Sequence, residues 1–242
     1  MKRRHTAVAL LAFAAAAGAS AGDILGGSAL LDAQSHAQLE RWLGAGPFNL
    51  QNVYARHPGD TAVEFHGGAD GKGATFTILR LSNALGQSFV VGGYNPQSWS
   101  SIDGWHVTDH DADRTAFLFN LTAPAVYHQV PSTDVLPSKG ARQTFNRSDY
   151  GPTFGTGHDL YVNHTLDAGI SWQLTYGNPD DEGISIVDLS RNGQAFTVQA
   201  LEVFAIAPVP EPAAWTMLGA GLALVGGMAL RRERQAPPGA KR

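Results

Sequence analysis

The chain has 242 residues, no cysteine and a formal net charge of −4. Without cysteine no disulfide can brace it, so stability must come from an ordinary apolar core, and a chain of this length has ample residues for one. The overall charge hides an uneven distribution: residues 23 to 210 hold 9 Lys and Arg against 19 Asp and Glu, a balance of −10 that repels phosphate backbones and argues against a nucleic-acid partner.

At the amino end, Lys2, Arg3 and Arg4 form a basic region and Ala7 to Ala17 an apolar one. Ala19-Ser20-Ala21 meets the small-x-small rule for a cut before Gly22. Residues 1–21 therefore read as a signal peptide, handled by the Sec export machinery and signal peptidase. A retained helical anchor is the competing reading. Asp32 can cap a helix over Ala33 to Leu43, with Leu39, Trp42 and Leu43 on one face and Gly44 as its stop. Pro47 to Tyr54 reads as extended. Thr61-x-x-Glu64 has capping-box spacing, which predicts a short helix to His66. Gly67-Gly68-Ala69-Asp70-Gly71-Lys72-Gly73 is a turn-forming cluster.

The apolar period then changes to two. Ala74 to Leu81 and Ser88 to Gly93 read as paired strands around a turn at Ser82 to Gln87. Ala116 to Leu121 is nearly all apolar, the mark of a strand buried on both faces. Pro131 to Ser148 is polar and reads as a loop with one short strand. Asp159 to Asn163, Ile170 to Tyr176, Ile184 to Leu189 and Ala195 to Ile206 are further strand candidates. The fold class is mainly β, a two-sheet sandwich with one or two flanking helices.

The carboxyl end adds an uncharged apolar run from Ala213 to Leu230. As a helix it spans about 27 Å, close to the roughly 30 Å of a bilayer core, so a single transmembrane helix is expected over 213–230. Arg231, Arg232 and Arg234 should stay on the cytoplasmic side. A buried core helix ending in arginines is the alternative.

Pro210, Glu211 and Pro212, followed by this run and by Arg231 and Arg232, resemble the PEP-CTERM sorting signal of Gram-negative bacteria. The resemblance implies that an exosortase-type enzyme reads the motif, whose residues are then processing determinants and not catalytic groups. The tail continues past Arg234 to Arg242, beyond the usual short basic end. The implied organisation is a signal peptide (1–21), an exported domain (22–207) and a sorting signal (208–242). The domain would sit on the periplasmic side, anchored in the inner membrane, with release to the outer envelope or matrix after cleavage.

A second resemblance covers most of the exported domain. Val53 to Asp60, Asp70-Gly71-Lys72-Gly73 leading into Ala74 to Ile78, Gly92-Gly93-Tyr94 with Trp99-Ser100, and Ala116 to Leu121 come in order. Gly151-Pro152-Thr153-Phe154-Gly155-x-Gly157-His158-Asp159 and Leu201-Glu202-Val203-Phe204 complete the set. Together they are similar to the TLD (TLDc) family. The family implies a β-sandwich flanked by helices and a link to oxidative-stress resistance. It brings no agreed catalytic mechanism. Some eukaryotic members bind the vacuolar proton pump, a partner an exported bacterial protein cannot meet. Ala69 stands where many members carry Cys, so a redox role needing that thiol cannot operate.

The candidate sites each have a structural reading. Gly71 and Gly73 bracket Lys72, but Walker spacing is absent, so the glycines read as positive-φ turn residues and Lys72 as a solvated charge. Gly92 and Gly93 predict a bulge or the close approach of a neighbour such as Trp99. Trp99 and Trp105 suit either packing or carbohydrate stacking. Asp109, Asp111 and Asp113, near His106 and His110, could hold a hard cation, although the EF-hand pattern is broken at Arg114 and Asn120. The alternative is an exposed acidic loop. His158 and Asp159 are adjacent on a strand and face opposite ways, so Asp159 reads as a carboxylate holding backbone donors beside Gly155 and Gly157. His57 and His66 lack zincin spacing.

The reading is a non-enzymatic envelope protein without a cofactor, whose partner is a matrix component such as exopolysaccharide. The alternatives are an enzyme acting on envelope glycans or in oxidative-stress protection, and a structural matrix protein. The enzyme reading needs groups such as Asp70, Asp159 and Glu202 to line one cleft.

Overall fold

The computed structural model describes residues 22–102, 104–132, 137–191 and 194–209, with Gly219 and Gly221. The Asp32 carboxylate accepts from the Ser35 N–H at 2.8 Å and opens α1 (Ala33–Leu43), and Gly44 closes it by donating its N–H to the Glu40 carbonyl. A full capping box between Thr61 and Glu64 opens α2 (Ala62–Ala69). This helix passes through Gly67 and Gly68, which were expected in a turn. Gly68 lies against β2 (Phe48–Ala55), where a side chain would come within 2.9 Å of Tyr54 Cβ, so the glycine serves helix-to-sheet contact.

The described residues contain twelve strands. Besides β2 they are β1 (Ile24–Leu25), β3 (Thr75–Ser82), β4 (Ser88–Asn95), β5 (Trp105–Val107), β6 (Phe117–Asn120) and β7 (Ala125–His128). A short helix α3 (Pro137–Ala141) leads into β8 (Arg142–Phe145). The remaining strands are β9 (Thr153–Phe154), β10 (Leu160–Val162), β11 (Ala168–Ile170) and β12 (Ala195–Pro208).

The long strand β12 is the axis. One of its edges pairs with β3, from which the ladder runs on through β4, β6 and β7. Its other edge forks: the carboxyl half pairs with β2 and then β1, while the amino end pairs with β11 and continues through β10, β9, β8 and β5. Register shifts at Val198/Ala200 and Val203/Phe204 bend β12 between these partners. The sheets of the expected sandwich are therefore one branched hydrogen-bonded ladder whose arms share a core, an architecture consistent with a β-sandwich.

Two cores result from alternation. On one face of β3, Phe76 and Ile78 meet Leu39 of α1, Phe117, Phe119 and Phe204. On the other, Leu79 and Leu81 meet Phe65 of α2, Leu118, Phe154, Leu160 and Val203. Strand β6 sends Phe117 and Phe119 to one core and Leu118 to the other, which accounts for its unbroken apolar sequence. Each of these fully buried side chains contributes about 2 kcal/mol of transfer free energy. Both cores lie wholly within Ala21–Pro208, a unit distinct from the two chain ends.

Several expectations are corrected. Ile170 to Tyr176 is not a strand: β11 stops at Ile170, and the chain beyond it is irregular up to a single bridge between Tyr176 and Gln129. Ile184 to Leu189 is a turn. Its apolar Ile186 and Val187 plug a core, while the Asn120 side-chain amide donates to both their carbonyls at 2.9 Å in place of a strand ladder. Strands β5, β7 and β9 were not anticipated, each being too short to show a period. No bulge occurs at Gly92 or Gly93, where the β3–β4 register is continuous.

The signal-peptide cleavage pair Ala19 and Ala21, the motif Pro210, Glu211 and Pro212, the expected helix 213–230 and Arg231 and Arg232 lie outside the described residues. Among the described residues no helix is long and apolar enough to cross a membrane.

Candidate binding groove

The carboxylates singled out in the sequence are separated by the fold, and each has a structural task. At the end of α2 the Asp70 N–H closes the helix on the His66 carbonyl, and its carboxylate lies 2.6 Å from His66 Nδ1. His66 Nε2 faces the carbonyls of Arg147 and Tyr150 at 2.8 and 3.1 Å. Both ring nitrogens thus face oxygen atoms, and the ring bridges the end of α2 to the segment at Arg147 and Tyr150. The Asp70 backbone pairs with Trp99 and so ties α2 to the loop after β4. Gly71 and Gly73 flank Lys72 with φ of 69° and 75°, and Lys72 is exposed between them.

Asp159 is wholly buried. Its Oδ2 accepts the backbone N–H groups of Leu174, Thr175 and Tyr176 at 2.6, 2.8 and 2.9 Å, holding an irregular segment that has no ladder of its own. Burial pushes its carboxyl up to about 7, against the opposing pull of those three donors. Its neighbour His158 is not on a strand, as the sequence suggests, but in a turn with φ of 58°, and its half-buried ring joins Tyr161 at 4.8 Å and Tyr150 at 6.2 Å, where burial lowers its pKa. The two never form a catalytic pair.

Glu202 on β12 is nearly buried. It accepts from Ser28 Oγ at 2.5 Å and from the Ala29 N–H at 2.8 Å, while Ser28 Oγ accepts in turn from Leu30 and Leu31. The side chain clasps the amino-terminal segment onto the sheet. Asp70, Asp159 and Glu202 do not share a cleft, since two of them have almost no exposed surface.

The glycines and aromatics of the motif are packing devices. A side chain on Gly92 would strike the Thr77 carbonyl and the Phe119 ring, and one on Gly93 would come within 2.6 Å of Phe154 Cζ. The close neighbours are therefore Phe119 and Phe154, not Trp99. Trp99 is 1% exposed and sits edge-on to Phe65 and Phe154 at 5.5 and 5.3 Å, which removes its ring face from any sugar-stacking role. Gly151 and Gly157 approach Leu166 and Leu174, and Pro152 and Phe154 are buried.

Of the acidic triplet, Asp109 and Asp113 line one depression while Asp111 is engaged elsewhere. Asp111 accepts from the N–H and Oγ of Ser132 at 2.9 and 2.8 Å, which holds its pKa below the usual carboxylate range, and it pairs with Arg114 at 2.9 Å. Among the described residues no three His, Asp or Glu side chains gather as metal ligands.

The open surface lies elsewhere. Loop residues 97–100, after β4, face β5 and the segment beyond it across two adjoining depressions of about 570 and 410 Å3, which share Gln97 and His106. The larger is lined by Ser98, Ser100, Trp105, His106 and Asn146, and the smaller by Asp109, His110 and Asp113 among others. Burial lowers the His106 pKa. β5 is the last strand on its side of the ladder, and Trp105 is partly exposed there.

From Trp105 a row of rings crosses the outer face of this arm. Trp105 meets Phe145 at 4.7 Å, Phe145 meets Tyr150 at 5.2 Å, and Tyr150 meets Tyr161 at 5.3 Å. Arg142 and Arg147 lie over Trp105 and Tyr150 at 5.3 and 5.2 Å. Sequence reading found Trp105 alone. Its partners come from segments far apart in the chain, and no local pattern links them. Hydroxyls, amides and an indole in one groove can bind a polar ligand with apolar faces.

A family model described as the TLDc domain matches residues 24–207 of the chain. None of the curated proteins compared with it matches.

Proposed function

The chain belongs to the TLDc-domain family, and we propose that it is a non-enzymatic member, exported to the cell envelope, where it binds a matrix component such as polysaccharide. A protective role of this chain in oxidative stress would then act through envelope binding and not thiol chemistry, because the chain has no cysteine. Residues 1–21 serve as the signal peptide. Residues 208–242 serve as the sorting signal, with a transmembrane helix over 213–230 and Pro210-Glu211-Pro212 presented to an exosortase-type enzyme.

The observation that carries the non-enzymatic reading is the separate commitment of Asp70, Asp159 and Glu202. Each binds internal donors, and Asp159 has no exposed surface. The groove beside β5 supports the binding role through its polar lining and partly exposed indole.

Two measurements test the proposal. Purified residues 22–208 should associate saturably with isolated envelope matrix, and a linear, non-saturating signal refutes the binding role. Mass measurement of the protein recovered from the envelope should show an amino terminus at Gly22. Full-length protein dissolved in the cytosol refutes export.

A further inference from the structure

We propose that the groove along the open edge of β5 docks an extended peptide of a partner protein, which adds as a strand beside Trp105 and Val107 and places a Lys or Arg side chain against Asp109 and Asp113. This rests on the binding role above and names the class of ligand taken at this groove.

Strand β5 is bonded on one side only. The Gly104 carbonyl accepts from the Asn146 N–H at 2.9 Å, and the Thr108 N–H donates to the Ala141 carbonyl at 2.7 Å, one on each side of the register shift at His106/Val107. Successive residues of an antiparallel strand turn their N–H and C=O groups to alternate edges. Trp105 and Val107 therefore turn theirs away from β8, and among the described residues no hydrogen bond uses them. At the other end of the ladder the edge of β7 is covered by residues 175–177: the Gly177 N–H donates to the His128 carbonyl at 2.8 Å, and the Val130 N–H donates to the Thr175 carbonyl at 2.9 Å. Two residues spaced by two, each with a donor and an acceptor, are what an added strand pairs with.

The space beside this edge is long enough for an extended chain. The two depressions adjoin at Gln97 and His106 and follow one another along β5, the larger beside Trp105 and the smaller beside Val107. Loop residues 97–100 form the facing wall and are pinned from behind. Ser98 Oγ accepts from the Gly73 N–H at 2.9 Å, and the Trp99 carbonyl accepts from the Gly71 N–H at 3.2 Å. Asn146 lines the larger depression and is 5% exposed. Its Oδ1 accepts from the Ser100 N–H at 3.3 Å, which orients the amide and leaves Nδ2 a donor without a partner among the described residues. That donor suits a peptide carbonyl at the Trp105 end.

Asp109 and Asp113 give the sign of the charge. The two linings hold these acids and no Lys or Arg among the described residues. Both side chains are exposed, and among the described residues neither makes an ion pair, whereas Asp111 is taken by Arg114 and Ser132. Arg142 lies over the Trp105 ring and outside both linings. Residues 23 to 210 carry a balance of −10, so an acidic peptide is repelled before it reaches the edge. A cationic side chain gains two free carboxylates at the Val107 end, where the chain leaves β5.

The test is fluorescence anisotropy of residues 22–208, whose two cores are built from their own residues, at about pH 7.5, where an ordinary His is neutral. The probe is a labelled, end-blocked hexapeptide of alternating Lys and Val, and its control has Glu in place of Lys. Saturable binding of the Lys peptide alone is expected. Asp109→Asn combined with Asp113→Asn, both at exposed positions, should weaken it about tenfold, as should about 0.5 M salt. Methylating either the Lys amides or the Val amides of the probe separates strand addition from charge attraction, because alternate amides face opposite edges of a strand. One set should abolish binding and the other should leave it intact. No saturable binding of the Lys peptide, equal binding of the Glu peptide, equal effects of the two methylations, or indifference to the substitutions each overturns the proposal. If the unaltered domain then still associates saturably with isolated matrix, this ligand is wrong and the binding role stands. Absence of that association refutes the role itself.

Discussion

The Asp159 carboxylate occupies the space where a side chain on Gly155 would stand: an ideal Cβ there would lie 2.5 Å from the acid's Cγ. Gly155 also holds φ of 76°, a region that L side chains rarely adopt. Strain and collision thus coincide at one residue. Gly155→Ala should destabilise residues 22–208 by about 3 kcal/mol or prevent folding. A urea midpoint close to that of the unaltered domain would contradict this account of the motif.

Asp159 also makes a signed pH prediction. Its folded pKa is raised to about 7 by burial, above the unfolded value, so the folded state binds the extra proton between about pH 4 and 7. Its contribution to stability is therefore fully present below the unfolded pKa and declines as pH rises through that window. Asp159→Asn cannot titrate. The stability advantage of the unaltered domain over this variant should shrink from about pH 4 to 7 and then level off. Urea unfolding across that range checks the sign, and an advantage growing with pH would reverse the assignment.

Glu202 holds the amino-terminal segment through Ser28 and Ala29. Glu202→Ala should cost about 2 kcal/mol, because it strands donors close to the sheet. The loss should be local first. Hydrogen exchange should show the amides of Ala29, Leu30 and Leu31 opening faster, while β3 and β4 keep their protection.

The capping box at Thr61 gives a smaller expectation. Thr61→Ala removes the acceptor for the Val63 N–H and the hydroxyl partner of Glu64, and should lower stability by about 1 kcal/mol. Glu64→Gln should lose less, since the amide oxygen still reaches the Thr61 N–H. Equal losses would mean that charge at the helix start outweighs the hydrogen bond.

Gly93 tests the packing of β4 against the opposite arm. Gly93→Ala would crowd both Phe154 and Leu118, at 2.6 and 2.8 Å, and should cost about 2 kcal/mol. The double variant Gly93→Ala with Phe154→Leu should recover part of that loss, and failure to do so would place the strain elsewhere.

Much of the scaffold was legible in the sequence because its signals are local. Asp32 and Gly44 bound α1 as expected, and the alternation in Ala74 to Leu81 and Ala195 to Ile206 marked β3 and β12. The Thr61 capping box marked the start of α2. Its end was misread, because the role of Gly68 depends on β2 passing beneath it. Ile184 to Leu189 differs for a similar reason: its apolar Ile186 and Val187 enter a core built by distant strands, and the distant Asn120 binds their carbonyls.

What the sequence determined alone was the β-rich class, the acidic surface, the absence of any disulfide and the family, since composition, short-range period and motif order are properties of the chain itself. The tertiary structure decided that β12 forks, that Asp159 is buried while Trp105 remains partly open, and that Arg142 lies over that ring. Those relations join residues from strands paired across long stretches of chain, and side-chain periodicity carries no information about which strand lies beside which.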